Sequence, residues 1–192
     1  PAPPAFLAAN AVPLARSGTP FHLAYLAAQR ASGGEPIFPH VRAYPGGGAP
    51  KPPPLPFALT EETGGVGIVS GYGLTEAPIV VMATTGDPDR KLADTEGRPT
   101  PGVDLVVVRL DGERAGPGEE GEIRLKGPQV IGGYLDAALD ADAFDEAGYF
   151  RSGDLGVVDA QGYVTITGRL KDVIIRHGEN ISAKEVEDLL YQ

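Results

Sequence analysis

Apolar positions in the first eighty residues recur at two spacings, and their alternation predicts short helices interleaved with short strands. Residues 5–12 and 20–31 carry the helical spacing. In the second stretch Phe21, Leu23, Ala24, Ala27 and Ala28 fall at helix-compatible intervals behind Thr19, a candidate N-cap. Residues 41–44 predict a short strand running into Gly46, Gly47 and Gly48. A brief helix is expected over 56–63 and a strand over 67–70. Such alternation predicts part of a parallel α/β sheet. Ligands of these sheets gather at the carboxyl ends of strands, where the glycine-rich stretches 46–48 and 71–73 are expected to form loops.

The pattern changes near residue 96. Apolar runs at 103–110, 121–127, 154–159 and 163–170 predict strands, joined by turn-rich connectors at 111–122 and 159–162. Residues 139–144 suit a helical turn. These elements predict a small, mostly antiparallel, barrel-like unit. After Arg169 the pattern resets, with a strand at 172–176 and a turn at 177–180. Ser182 then caps a helix with Glu185 at the capping-box offset and Val186, Leu189 and Leu190 on its apolar face. The expected domains are therefore 1–95 (α/β), 96–169 (β-rich) and 170–192, the start of a small α+β domain left incomplete at Gln192.

Composition narrows the classes. With 42% hydrophobic and 22% charged residues the chain can bury a core. Its 27 Gly and 19 Pro follow no fixed period and agree with many short, connected elements. The absence of cysteine excludes disulfides and thiolate metal sites. A formal charge of −10 argues against nucleic-acid binding, which draws on Lys and Arg. No apolar run approaches the ~18 residues of a membrane span, and the first residues lack a signal peptide's basic flank. The expected location is the cytoplasm.

Three strings carry candidate chemistry: GYGLTEAP at 71–78, YFRSGDL at 149–155 and GRLKDVIIRHGENISAKEVE at 168–187. Gly71 and Gly73 flank Tyr72 and allow close backbone approach to a ligand, leaving the ring free to lie against a base. The Thr75 hydroxyl suits a phosphate oxygen, and the Glu76 carboxylate suits Mg²⁺, which takes one or two carboxylates beside phosphate oxygens. Taken alone, the string also reads as a strand-to-helix turn capped by Thr75. Asp154 at a strand edge can accept both hydroxyls of a ribose, or hydrogen-bond its own turn. Arg169 can reach ribose or phosphate oxygens, or form a surface ion pair. His22 and His40 have no partner that the sequence identifies; His22 on its helix reads as packing, and His177 in its turn as a plain exposed residue.

Together with GGGAP (46–50) and GEIRLKGPQVIGGY (121–134), these strings resemble the adenylate-forming, AMP-binding superfamily of acyl-CoA synthetases, luciferases and peptide-synthetase adenylation domains. The resemblance runs from about residue 38 to 190. It implies the end of the family's large domain followed by the opening of its small one. Carried over by position, Gly48, Ala49 and Pro50 border the adenine and acyl pocket, and Gly71, Tyr72 and Gly73 contact adenine and the acyl-adenylate. Thr75 binds the α-phosphate, Glu76 the Mg²⁺, Asp154 the ribose hydroxyls with help from Arg169. Lys171 matches the interdomain hinge, and Gly178 a loop lining the pantetheine channel.

The implied activity is an acid–thiol ligase that uses ATP, Mg²⁺ and coenzyme A on a small carboxylate, with fatty acids among the candidates. The alternatives are a non-catalytic nucleotide-binding module and an adenylation domain that loads a carrier protein. The family's Gly/Ser/Thr-rich phosphate loop and its late catalytic lysine have no counterpart in these residues, so they are expected to be inactive alone. Ser152, His177 and Ala183 stand where relatives often have Thr, Gly and Pro.

Overall fold

The computed structural model describes residues 3–15, 17–34, 36–47, 51–52, 54–176, 179–182 and 189. The chain divides into two compact units, Pro1–Gly71 with Ala83–Thr95, and Tyr72–Met82 with Glu96–Gln192.

The first unit opens with α1 (Pro3–Ala9) and α2 (Thr19–Ala31). Thr19 is the first residue of α2 rather than its cap; Gly18 holds the cap position without a side-chain bond, and Pro20 pre-sets the first turn. The helix buries His22, Tyr25, Leu26 and Gln29, an i, i+3, i+4, i+7 face. Phe21 and Leu23 lie off that face, at 50% and 45% exposure. Tyr25 packs edge-on against Phe38, and both join Tyr44, Leu55, Leu59 and Ile68 in the core. The strand β1 (Tyr44–Gly47) pairs in parallel with the start of β2 (Ile68–Leu74), from Tyr44 opposite Ile68 to Gly47 opposite Gly71. The helices α3 (Leu55–Thr63) and α4 (Asp89–Asp94) complete the unit.

The second unit begins with the last residues of β2, then β3 (Ala77–Met82), which pairs antiparallel with β4 (Arg98–Pro99). Its larger sheet has the order β5 (Asp104–Val108), β6 (Glu120–Lys126), β7 (Phe150–Val158), β8 (Val164–Arg169), antiparallel throughout. Ala77, Val80, Val81, Ile123, Leu125 and Val164 form a fully buried core. No pairing between β5 and β8 closes this sheet among the described residues. The expected barrel is thus an open four-stranded sheet.

The helical turn expected at 139–144 is present as a 3-10 turn, Ala137–Leu139, followed by α5 (Asp140–Ala143). A hairpin of β9 (Val173–Arg176) and β10 (Glu179–Ser182) follows. Glu179 and Asn180 are strand residues rather than turn residues, and Ser182 ends β10. Most of the helix expected beyond it falls outside the described residues; Leu189 is helical and 63% exposed.

Candidate functional site

The Gly-Tyr-Gly segment is strand rather than a flexible turn. β2 runs extended through Gly71, Tyr72 and Gly73 to Leu74, and the reversal falls on Thr75 and Glu76 alone before β3 begins. A two-residue connection joins antiparallel neighbours, so the string ends in a β-hairpin and not in a helix capped by Thr75. The glycines are needed for strand contact. A Cβ on Gly73 would clash with the Ile79 backbone nitrogen and lie 2.9 Å from the Ala77 carbonyl oxygen. Ile79 itself has φ 51, left-handed backbone that a β-branched residue adopts only under strain. A Cβ on Gly47 would likewise strike the Gly71 carbonyl oxygen.

Asp154 lies inside β7, which begins at Phe150 rather than at the expected 154, and is 5% exposed. Its Oδ2 accepts the Tyr72 hydroxyl at 2.7 Å, and its Oδ1 meets Arg169 Nε at 3.0 Å. Arg169 stands opposite Asp154 in the β7–β8 register, which explains the pair, and its own side chain is 56% exposed. Burial, and then the neighbouring Asp154 carboxylate, pushes the Tyr72 phenol well above the usual tyrosine range. Tyr72 is therefore a neutral donor near pH 7.

The backbone under Asp154 is fixed from β6. Ser152 Oγ donates to the Ile123 carbonyl at 2.6 Å and accepts the Asp154 N–H at 3.1 Å. The Gly153 N–H reaches Glu122 Oε1 at 3.3 Å, and Glu122 in turn pairs with Arg124 at 2.8 Å. Arg124 also holds Asp145 at 3.0 Å.

Thr75 is exposed at the hairpin tip and Glu76 half-buried beside it. Glu76 Oε1 accepts the Tyr134 hydroxyl at 3.1 Å, and the Glu76 carbonyl accepts the Ile131 N–H at 2.8 Å. Burial, followed by Glu76, raises the Tyr134 phenol. The hairpin thus carries Tyr72, Thr75 and Glu76 within five residues, and Tyr72 joins it to Asp154. Lys171 is exposed on the 3-10 turn Leu170–Asp172. Gly71 lies half-buried where the parallel pairing ends. Gly48, Ala49, Pro50 and Gly178 lie outside the described residues.

His22 is buried between Tyr25 and Tyr44, and desolvation lowers it to about 4, so it is neutral packing at pH 7. His40 is exposed, and His177 lies outside the described residues. Sequence reasoning missed Lys51, whose ammonium donates to Ser70 Oγ at 2.5 Å and to the Leu92 and Thr95 carbonyls at 2.9 and 3.1 Å. Nothing in a lone lysine after a proline signals three acceptors from distant segments. Tyr134 was also missed as a contact of Glu76, although its string had been singled out.

No group of three or more His, Cys, Asp or Glu residues suited to a metal occurs among the described residues. A carboxylate such as Glu76 at an exposed turn suits a cation carried chiefly by substrate phosphates, the usual manner of Mg²⁺.

Residues 10–135 match the AMP-binding enzyme family, and the chain belongs to it. Among curated relatives it is 44% identical over 129 residues to the medium-chain fatty-acid–CoA ligase of Escherichia coli strain K12, covering 67% of this chain and 23% of that protein. It is 41% identical over 126 residues to the salicyl-AMP ligase / salicyl-S-ArCP synthetase of Mycobacterium tuberculosis, covering 65% and 22%. ATP-bound MatB from Rhodopseudomonas palustris superposes with a TM-score of 0.84 at 29% identity, covering 95% of this chain and 35% of that one. The O-succinylbenzoate coenzyme A synthetase of Bacillus subtilis, in complex with ATP and magnesium, gives 0.80 at 29%, covering 94% and 36%. The chain thus spans about a quarter of the curated relatives' length.

Proposed function

We propose that the protein containing this chain is an ATP-dependent carboxylate–CoA ligase of the cytoplasm, and that these residues supply its adenosine and α-phosphate contacts. The Tyr72–Asp154 hydrogen bond carries the reading, because it ties the hairpin to a buried carboxylate of the kind that accepts ribose hydroxyls. In this reading residues 1–169 are the end of a large domain and 170–192 begin a small one that turns about Lys171.

Asp154 accepts the ribose hydroxyls through the lone pairs left by Tyr72 and Arg169, with Arg169 closing the outer side. Tyr72 presents its ring to adenine while its hydroxyl stays on Asp154. By the same reading Gly48, Ala49 and Pro50 border the adenine and acyl pocket, Gly71 and Gly73 contact adenine and the acyl-adenylate, and Gly178 belongs to the loop that lines the pantetheine channel. Thr75 donates to a non-bridging oxygen of the α-phosphate. Glu76 holds Mg²⁺, which when bound neutralises phosphate charge. A substrate carboxylate oxygen attacks the α-phosphorus and pyrophosphate leaves, giving an acyl-adenylate. A thiolate of coenzyme A then attacks the acyl carbonyl and AMP leaves. The chain's part is positioning and donation to oxygens that gain charge.

A second reading, in which the thiol belongs to a carrier protein, is favoured by the similarity to a salicyl-S-ArCP synthetase. The test is carboxylate-dependent exchange of labelled pyrophosphate into ATP by the full-length protein, across fatty and aromatic acids. Exchange followed by thioester formation with coenzyme A is the expected result, and a product formed only on a pantetheinylated carrier selects the second reading. Absence of exchange with every acid would leave a nucleotide-binding module without ligase activity. The 192 residues alone should give no turnover, since they contain no glycine-rich phosphate loop ending in lysine.

A further inference from the structure

The segment between β6 and α5 reaches back to the Thr75–Glu76 turn and grips it twice. The Ile131 N–H donates to the Glu76 carbonyl at 2.8 Å and the Tyr134 hydroxyl to Glu76 Oε1 at 3.1 Å. The gripping segment is itself pinned. The Tyr134 N–H donates to Asp140 Oδ1 at 2.8 Å, and Asp136 caps the following 3-10 turn through the Ala138 N–H at 3.0 Å. The Ile131 contact already holds the turn's backbone, so the phenol bond acts on the carboxylate alone. Among the described residues no second hydrogen bond reaches that carboxylate, which leaves Oε2 open.

We propose that Tyr134 is a positioning residue: its hydroxyl fixes one oxygen of Glu76 so that the other faces the divalent cation accompanying the bound nucleotide. This rests on the metal role proposed for Glu76. A glutamate on an exposed two-residue turn loses rotamer freedom when it takes up a cation, and a donor already in place removes part of that cost. Tyr134 is half-buried and Asp140 holds its backbone, so its ring is carried by a fixed segment rather than a free loop.

The test uses the full-length protein with α,β-methylene-ATP as probe, titrated calorimetrically with Mn²⁺ and again with EDTA. The quantity of interest is the gain in affinity that Mn²⁺ confers. Tyr134→Phe should lose about tenfold of that gain, the scale of lost partners to metal ligands. Its affinity in EDTA should stay within about twofold of the parent. Glu76→Gln should lose at least as much, and the double variant no more than Glu76→Gln alone. A normal gain in Tyr134→Phe beside a reduced gain in Glu76→Gln overturns the positioning role and spares the function. A normal gain in Glu76→Gln overturns both. Losses that add in the double variant also overturn the proposal, because the phenol would then act elsewhere.

Discussion

Asp154 is the residue on which the contacts of the candidate site converge. A carboxylate at 5% exposure needs partners, and it has Tyr72 and Arg169, one on each oxygen. Arg169 is more than half exposed, so solvent screens the ion pair and its worth lies in orientation more than in stability. Replacing Asp154 by Ala should weaken ATP binding to the full-length protein by at least about tenfold, the loss of a charge-assisted hydrogen bond of about 1.5 kcal/mol or more. An unchanged calorimetric affinity would remove the ribose role. The sequence marked Asp154 through its Gly-Asp context and the family string. It left open whether the residue was a turn Asp satisfied by its own backbone. Pairing decides this: a place opposite Arg169 in a central strand cannot be read from a dipeptide.

At the scale of elements, the hairpin formed by β2 and β3 is the part that sequence reasoning misread most. Gly-Tyr-Gly invites a loop because glycine tolerates any backbone, yet here Gly73 lacks a Cβ that would strike the backbone of β3. Local propensity does not carry that information; it depends on how closely β3 returns, and on the left-handed kink at Ile79. Gly73→Ala should therefore destabilise by about 1–3 kcal/mol, the usual range for an overpacked site. The denaturant midpoint should fall with the slope unchanged. A shift below about 0.5 kcal/mol would show that the strands are free to move apart. The helices were easier to read. α3 and the turn around α5 lie close to where apolar spacing placed them. For α2 the limits agree to within one residue, but the buried face differs, because His22 and Gln29 are polar residues taken into the interior.

Across the whole molecule, each unit has its own buried core, one built on Tyr25, Phe38, Tyr44 and Leu59 and the other on Val80, Val81, Ile123 and Val164. The class of protein was legible because five strings in fixed order constrain it far more than any one of them. The open edge of the β5–β8 sheet was not, since closure depends on twist and pairing partners rather than on strand count. No helix among the described residues is long and apolar enough to cross a membrane. The central claim is that Tyr72, Thr75, Glu76 and Asp154 surround one adenylate. The most direct measurement is a crystal structure of the full-length protein with a non-hydrolysable acyl-adenylate analogue. The account predicts ribose hydroxyls on Asp154, the Tyr72 ring against adenine and the phosphate mimic at Thr75. An analogue bound with its ribose away from Asp154 and its base away from Tyr72 would contradict it.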